Sequence, residues 1–261
     1  MSLLQWNFRS IYLRGNTDVS IILPESQGEP EKFYEKGKKY KVLWLLHGTF
    51  GDHTDWVRYT NIERYACEHN LAVVMPSALN SMYGNWNSFA MGYDAFDYLI
   101  KELMPAVYAW FPISDRKEDN FIAGLSMGGR GACVYAFNHP ELFAKAFVMS
   151  AVPEDLTDID TKSPFYHRVE NLIANYGGME GYLNSELNLW KLAKERKDEL
   201  PELYFTCGDQ DPIAWKRYNQ FKAYAEETGL KAVFDEVEGY SHEWPFWELS
   251  IQKAIKWFLN K

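Results

Sequence analysis

A chain of 261 residues with 47% hydrophobic and 24% charged side chains is globular in composition and long enough to bury one large core. A formal net charge of −9 without clustered Lys and Arg excludes a nucleic-acid or anionic-membrane partner, because binding phosphates needs a basic face. No apolar run approaches the ~20 residues of a membrane span, MSLLQWNFRS lacks the apolar core of a signal peptide, and Cys67, Cys133 and Cys207 show no CxxC spacing. The expectation is a cytoplasmic protein with buried thiols and neither metal nor organic cofactor.

Leu3 to Leu13 and Val19 to Leu23 alternate or run apolar around Gly15-Asn16, which predicts an N-terminal antiparallel hairpin ahead of a charged loop from Pro24 to Lys39. From Tyr40 onward, strand-like runs at 40–46, 71–75, 120–123, 145–149, 203–207 and 232–237 alternate with helical segments at 56–69, 94–110, 215–228 and 246–259. That alternation predicts an α/β architecture, a mainly parallel sheet with helices on both faces. The interval Pro153 to Pro201 is too long for an ordinary connection. It carries its own helical pattern with breaks at Gly177-Gly178 and Gly181, so a small helical cap at about 153–201 is expected within a single domain 1–261. Edge pairing is not legible, and homo-oligomerisation is left open.

The chemistry begins at Gly124-Leu125-Ser126-Met127-Gly128, which follows the apolar run Asn120 to Ala123 and precedes RGACVYAFN, a packed helix ended by Pro140. A serine between two glycines on a sharp strand-to-helix turn is a nucleophile elbow: the turn strains the serine backbone, and side chains two positions away would collide. A serine hydroxyl is a weak nucleophile near neutral pH, so the elbow requires a histidine base and an orienting acid later in the chain. His167 lies in a polar stretch and reads as a surface residue. His242, in GYSHEW just after AVFDEV, falls on a loop at the carboxyl end of a late strand, where α/β sheets place their chemistry; the competing role is packing against Trp244 and Trp247. His47, His53, His69 and His139 precede or flank the elbow and default to structural or loop roles.

The acid should follow the strand LYFTC, which breaks at Gly208-Asp209-Gln210-Asp211-Pro212. Two aspartates compete there. Asp211 is preferred because Pro212 keeps it extended, whereas Asp209 sits where a local Asx turn would use its side chain. An oxyanion hole needs two amides, one from Met127 after the nucleophile and one from an earlier loop. YKVLWLL runs into His47-Gly48-Thr49-Phe50-Gly51, which points to Thr49 N–H. Aromatic residues reach 16% of the chain, and Phe50, Trp56, Tyr83, Trp86, Phe89, Tyr93, Trp215, Trp244 and Phe246 fall on segments that should border this site. Phe50, Trp86, Trp215 and Trp244 are the candidates to line a pocket for an acyl chain, an aromatic acyl group or a sugar face.

Taken together, LLHGTFGDHTDW, MPSALNSMYGNW with Gly92-Tyr93 after it, FIAGLSMGGRGA, CGDQDP and GYSHEW resemble the esterase D family of α/β hydrolases, in particular tributyrin-type carboxylesterases. S-formylglutathione hydrolases, feruloyl and acetyl xylan esterases and mycolyltransferases share that fold. The resemblance spans about Tyr40 to the C-terminus and implies an α/β-hydrolase fold with nucleophile Ser126, acid Asp211, base His242 and oxyanion amides on Thr49 and Met127. Position 49 is often apolar in such proteins, so threonine there would give the acyl pocket a polar wall. The implied activity is that of a serine carboxylesterase cleaving small-molecule esters, short-chain, aromatic-acyl or acetylated-sugar, through an acyl-enzyme. An S-formylglutathione-type thioesterase and a non-catalytic binding relative are the alternatives.

Overall fold

The computed structural model describes residues 2–25, 35–158 and 166–260. Among the described residues ten strands are formed: β1 (Ser2–Ser10), β2 (Gly15–Leu23), β3 (Lys41–Leu46), β4 (Leu71–Pro76), the short β5 (Asn85–Trp86) and β6 (Tyr93–Asp94), β7 (Asn120–Leu125), β8 (Lys145–Met149), β9 (Glu202–Gly208) and β10 (Val233–Val237). Eight of them make one sheet in the order β1-β2-β4-β3-β7-β8-β9-β10, while β5 and β6 pair with each other. Within the large sheet β1–β2 and β2–β4 are antiparallel and the other pairs are parallel.

The helices are α1 (Asp55–Tyr59), α2 (Ile62–Glu68), α3 (Ala95–Asp97), which runs through a π-helical stretch into α4 (Met104–Trp110), α5 (Met127–Asn138), α6 (Tyr166–Asn175), α7 (Met179–Leu183), α8 (Leu189–Glu195), α9 (Trp215–Thr228) and α10 (Trp244–Phe258). Two hydrophobic clusters lie on the two faces of the sheet, and β3 shows why. Val42, Trp44 and Leu46 belong to one, with the segment 95–110, α5 and α9; Leu43 and Leu45 belong to the other, with α1, α2 and α10. Strands covered on both sides need apolar residues at every position, and β4, β7 and β8 are buried throughout.

Several boundaries differ from the sequence reading for local reasons. The N-terminal turn falls on residues 11–14, with Arg14 supplying the left-handed backbone at φ 57°, and Gly15 and Asn16 are already paired in the ladder with Ser10 and Arg9. The expected helix 56–69 divides into α1 and α2 at Thr60-Asn61. Thr60 is extended, its hydroxyl donates to the Trp56 carbonyl, and the same oxygen accepts from Ile62 N–H. Such side-chain bonds to the backbone compete with the helical ladder.

The helix after the elbow starts at Met127, ahead of the expected Arg130. Between β8 and β9 the insertion carries α6, α7 and α8, with left-handed Gly177 and Gly178 between the first two. Gly181 is no break. It lies inside α7, hard against the Tyr176 carbonyl, where a β-carbon would clash. Residues 159–165 of the insertion and 26–34 of the expected charged loop lie outside the described residues. Cys133 and Cys207 are buried as expected, but Cys67 is half-exposed near the end of α2.

Candidate active site

Strand β7 ends at Leu125 and α5 begins at Met127, so the whole change of direction falls on Ser126, at φ 51° and ψ −118°. A non-glycine residue held there stores about 1–3 kcal/mol, offset by the surrounding packing. Ser126 N–H donates to the Met149 carbonyl at 2.9 Å, and the Ser126 carbonyl accepts from Arg130 N–H at 3.0 Å. The flanking glycines are required by close approach: a β-carbon on Gly124 would lie 2.3 Å from the Gly128 carbonyl, and one on Gly128 would lie 2.5 Å from the carbonyl oxygens of Leu46 and His47.

The loop between β10 and α10 brings His242 to this turn. Its Nε2 is 3.0 Å from Ser126 Oγ, and its Nδ1 is 2.8 Å from Asp211 Oδ2. A carboxylate can only accept, so Nδ1 carries the proton toward Asp211 and Nε2 presents its lone pair to the serine hydroxyl. The ring also packs edge-on to Trp247, with centroids 5.1 Å apart, so the packing role and the hydrogen-bonding role coexist.

Asp211 is 1% exposed, and its two oxygens divide the work. Oδ1 accepts from Ile213 N–H at 2.9 Å and Ala214 N–H at 2.8 Å, which leaves Oδ2 to the imidazole. Burial alone would raise this carboxyl, but its hydrogen bond and charge interaction with His242, joined by the two amides, hold it below the usual carboxylate range. The local Asx-type bonds therefore belong to Asp211, not to Asp209 as expected from the sequence. Asp209 Oδ1 instead accepts from Gly239 N–H at 2.8 Å and ties the end of β9 to the histidine loop.

The loop after β3 faces the elbow. The amides of Thr49 and Met127 have no hydrogen-bond partner among the described residues, whereas the next amide, Phe50 N–H, donates to Asn80 Oδ1 at 2.8 Å. His47, read as structural, fixes this loop. Its Nδ1 donates to the Gly48 carbonyl at 2.7 Å and its Nε2 accepts from Ala78 N–H at 2.9 Å, a neutral tautomer that burial favours by pushing the pKa down.

A cavity of about 390 Å³ opens over Ser126, His242, Thr49 and Met127. Of the four aromatic candidates, Phe50 and Trp244 line it. Trp86 and Trp215 do not. Trp86 is half-buried in the β5–β6 pair and donates from Nε1 to the Ser81 carbonyl at 2.7 Å; Trp215, at the start of α9, stacks on Tyr218 with centroids 5.8 Å apart and packs on the core. Trp56, Tyr83, Tyr93 and Phe246 are core residues, and Phe89 is exposed. The sequence reading missed the polar lining: Arg130, Glu154, Arg168 and Arg217, with Met82, Val152, Val169 and Trp247 as apolar neighbours. A signal existed for Arg130, which follows Ser126 by four residues and so shares its face of the helix.

Among the described residues, no group of three or more His, Cys, Asp and Glu side chains is placed to hold a metal ion, and no helix is long and apolar enough to cross a membrane. The model of the Esterase family, described as "Putative esterase", matches residues 10–258.

The chain belongs to the Esterase family.

An acetyl esterase of Caldicellulosiruptor saccharolyticus is 29% identical to this esterase over 272 residues, spanning 98% of both proteins. Two Staphylococcus aureus structures are each 32% identical to it. The substrate-bound fluorophosphonate-binding serine hydrolase FphF superposes with a TM-score of 0.84 over 100% of this chain and 99% of its own. The S-formylglutathione hydrolase FrmB, as apoenzyme, does so with 0.80 over 99% of each. The esterase thus has the α/β-hydrolase fold that its sequence motifs imply, elaborated by the β1–β2 hairpin.

Proposed function

We propose that this Esterase-family enzyme hydrolyses small-molecule esters of short-chain or aromatic acids, acetylated sugars among them, by transferring the acyl group first to Ser126 and then to water. The hydrogen-bonded series Ser126–His242–Asp211 at the strained elbow carries this reading. His242 Nε2 takes the hydroxyl proton as Ser126 Oγ attacks the ester carbonyl, and Asp211 orients the ring and stabilises its cationic form. The tetrahedral oxyanion accepts from the Thr49 and Met127 amides, both free of other partners among the described residues. The proton on Nε2 passes to the leaving alcohol, and water, deprotonated by the same nitrogen, releases the acid. The site lies within one catalytic domain, with the insertion between β8 and β9 as its cap: Arg168 and Val169 of α6 reach the cavity wall.

Hydrolysis of p-nitrophenyl esters from acetate to octanoate tests the assignment. Turnover is expected to be highest on the short acyl chains and to fall toward octanoate, because guanidinium groups of Arg130 and Arg168 sit in the wall a long chain would have to bury against. Equal turnover along the series would show that the wall does not bound the acyl group. A thioesterase is the second reading, favoured by the likeness to FrmB along nearly the whole chain. Turnover of a thioester with none on any oxygen ester would select it.

A further inference from the structure

The wall of the cavity is more cationic than cleavage of a neutral ester requires. Arg130 is 4% exposed; its Nη1 and Nη2 donate to the carbonyls of Met82 and Leu187 at 3.4 and 3.2 Å, and its Nε is buried without a hydrogen-bond partner among the described residues. Arg168 reaches in from α6 and donates from Nη1 to Thr49 Oγ1 at 3.0 Å, on the loop that also supplies a candidate oxyanion amide. Its Nε and Nη2 are buried and likewise lack partners among the described residues. Those two nitrogens form the side edge of the guanidinium, whose parallel N–H bonds match the two oxygens of a carboxylate.

Nearby acids answer this charge only in part: Glu154 favours the cationic form of Arg168 through space but makes no hydrogen bond to it. Glu154 also lines the cavity, but its carboxylate accepts from Arg217 at 3.1 Å; Asp55 is on α1, beside Gly51. Burial and the neighbouring charge of Arg130 pull Arg168 down to about 10, which leaves it cationic at neutral pH. Two like charges held together in a buried wall, with three donor nitrogens unused, are costly unless an anion completes them.

We infer that Arg168, backed by Arg130, forms a subsite for a carboxylate on the substrate, so that the preferred esters carry an acid group on either the acyl or the leaving side. The inference deepens the esterase reading and rests on it. In the acyl arm the substrate is a half-ester of a short dicarboxylic acid; in the other, a neutral acyl group is joined to a hydroxy acid. In both, the Arg168 edge binds a group that takes no part in bond breaking.

The test compares kcat/KM within charged and neutral pairs of matched carbon skeleton, corrected for spontaneous hydrolysis: mono-p-nitrophenyl glutarate against p-nitrophenyl valerate for the acyl arm, and 4-acetoxybenzoate against its methyl ester for the leaving arm. The charged member of one pair is expected to be preferred by on the order of ten-fold or more. Arg168→Met should abolish that ratio, and Arg168→Lys, which keeps charge but loses the fork, should retain only part of it. A ratio cancels any general loss of activity, so a poorly folded variant does not imitate the effect. Calorimetric titration of the unmodified enzyme and Arg168→Met with glutarate reads the subsite independently of turnover. Arg168-dependent glutarate binding without ester cleavage would refute the esterase reading and keep the subsite. No preference in either pair, or glutarate binding unchanged by Arg168→Met, would overturn the subsite.

Discussion

Replacing Ser126 with alanine is expected to lower kcat on short-chain esters by on the order of 10⁶-fold while leaving the protein folded. The attacking oxygen disappears, and no other hydroxyl is hydrogen-bonded to His242 among the described residues. In the proposed mechanism, what remains is binding and oxyanion stabilisation by Thr49 and Met127, which would still accelerate attack by water and set a floor above the uncatalysed rate. The backbone at 126 keeps its left-handed conformation with alanine as with serine, because it is imposed by the hydrogen bond to Met149 and by the close packing of Gly124 and Gly128. The melting temperature should therefore change little. Steady-state kinetics together with a thermal melt separate this result from general unfolding.

Asp211→Asn is expected to lower kcat by about 10⁴-fold. An asparagine retains an oxygen to accept from Ile213 and Ala214 N–H, so the turn survives. Its remaining amide group can only donate toward His242 Nδ1. That forces the imidazole to carry its proton on Nε2, where it can no longer accept from Ser126. The same substitution has a consequence for stability. Asp211 is held below the ordinary carboxyl value near 3.9, so its charged form contributes stability that is complete above that value and is lost as pH falls through the lowered one. Thermal melts of the unmodified enzyme and Asp211→Asn from pH 7 down to pH 3 should therefore converge at the acid end. A difference that widened on acidification would contradict the lowered carboxyl.

The sheet was legible because buried parallel strands demand apolar residues at every position, as LAVVM and KAFVM supply. The elbow was legible because Gly124 and Gly128 answer a steric demand that only glycine meets. Loops were harder, since side-chain bonding there depends on partners distant in sequence. Asp209 reaches Gly239, thirty residues on, so nothing adjacent to it distinguished its role from that of Asp211. Thr60 is similar in kind: a threonine inside a helical pattern gives no sign that its hydroxyl will end one helix and start another. Aromatic residues were the least informative, because Trp86 and Trp215 have the same local setting as Trp244 yet turn toward the β5–β6 pair and the core. Arg168 was invisible for a different reason. Its place in the cavity depends on how α6 of the insertion lies against the loop after β3, a contact between residues 119 apart.

The claim that Ser126 is the nucleophile is tested most directly by labelling the enzyme with a fluorophosphonate and locating the adduct by mass spectrometry. One equivalent bound to the peptide containing Ser126, in step with loss of esterase activity and absent in His242→Ala, is the expected result. An adduct on another residue that tracks the loss of activity, or full activity with Ser126 labelled, would contradict it.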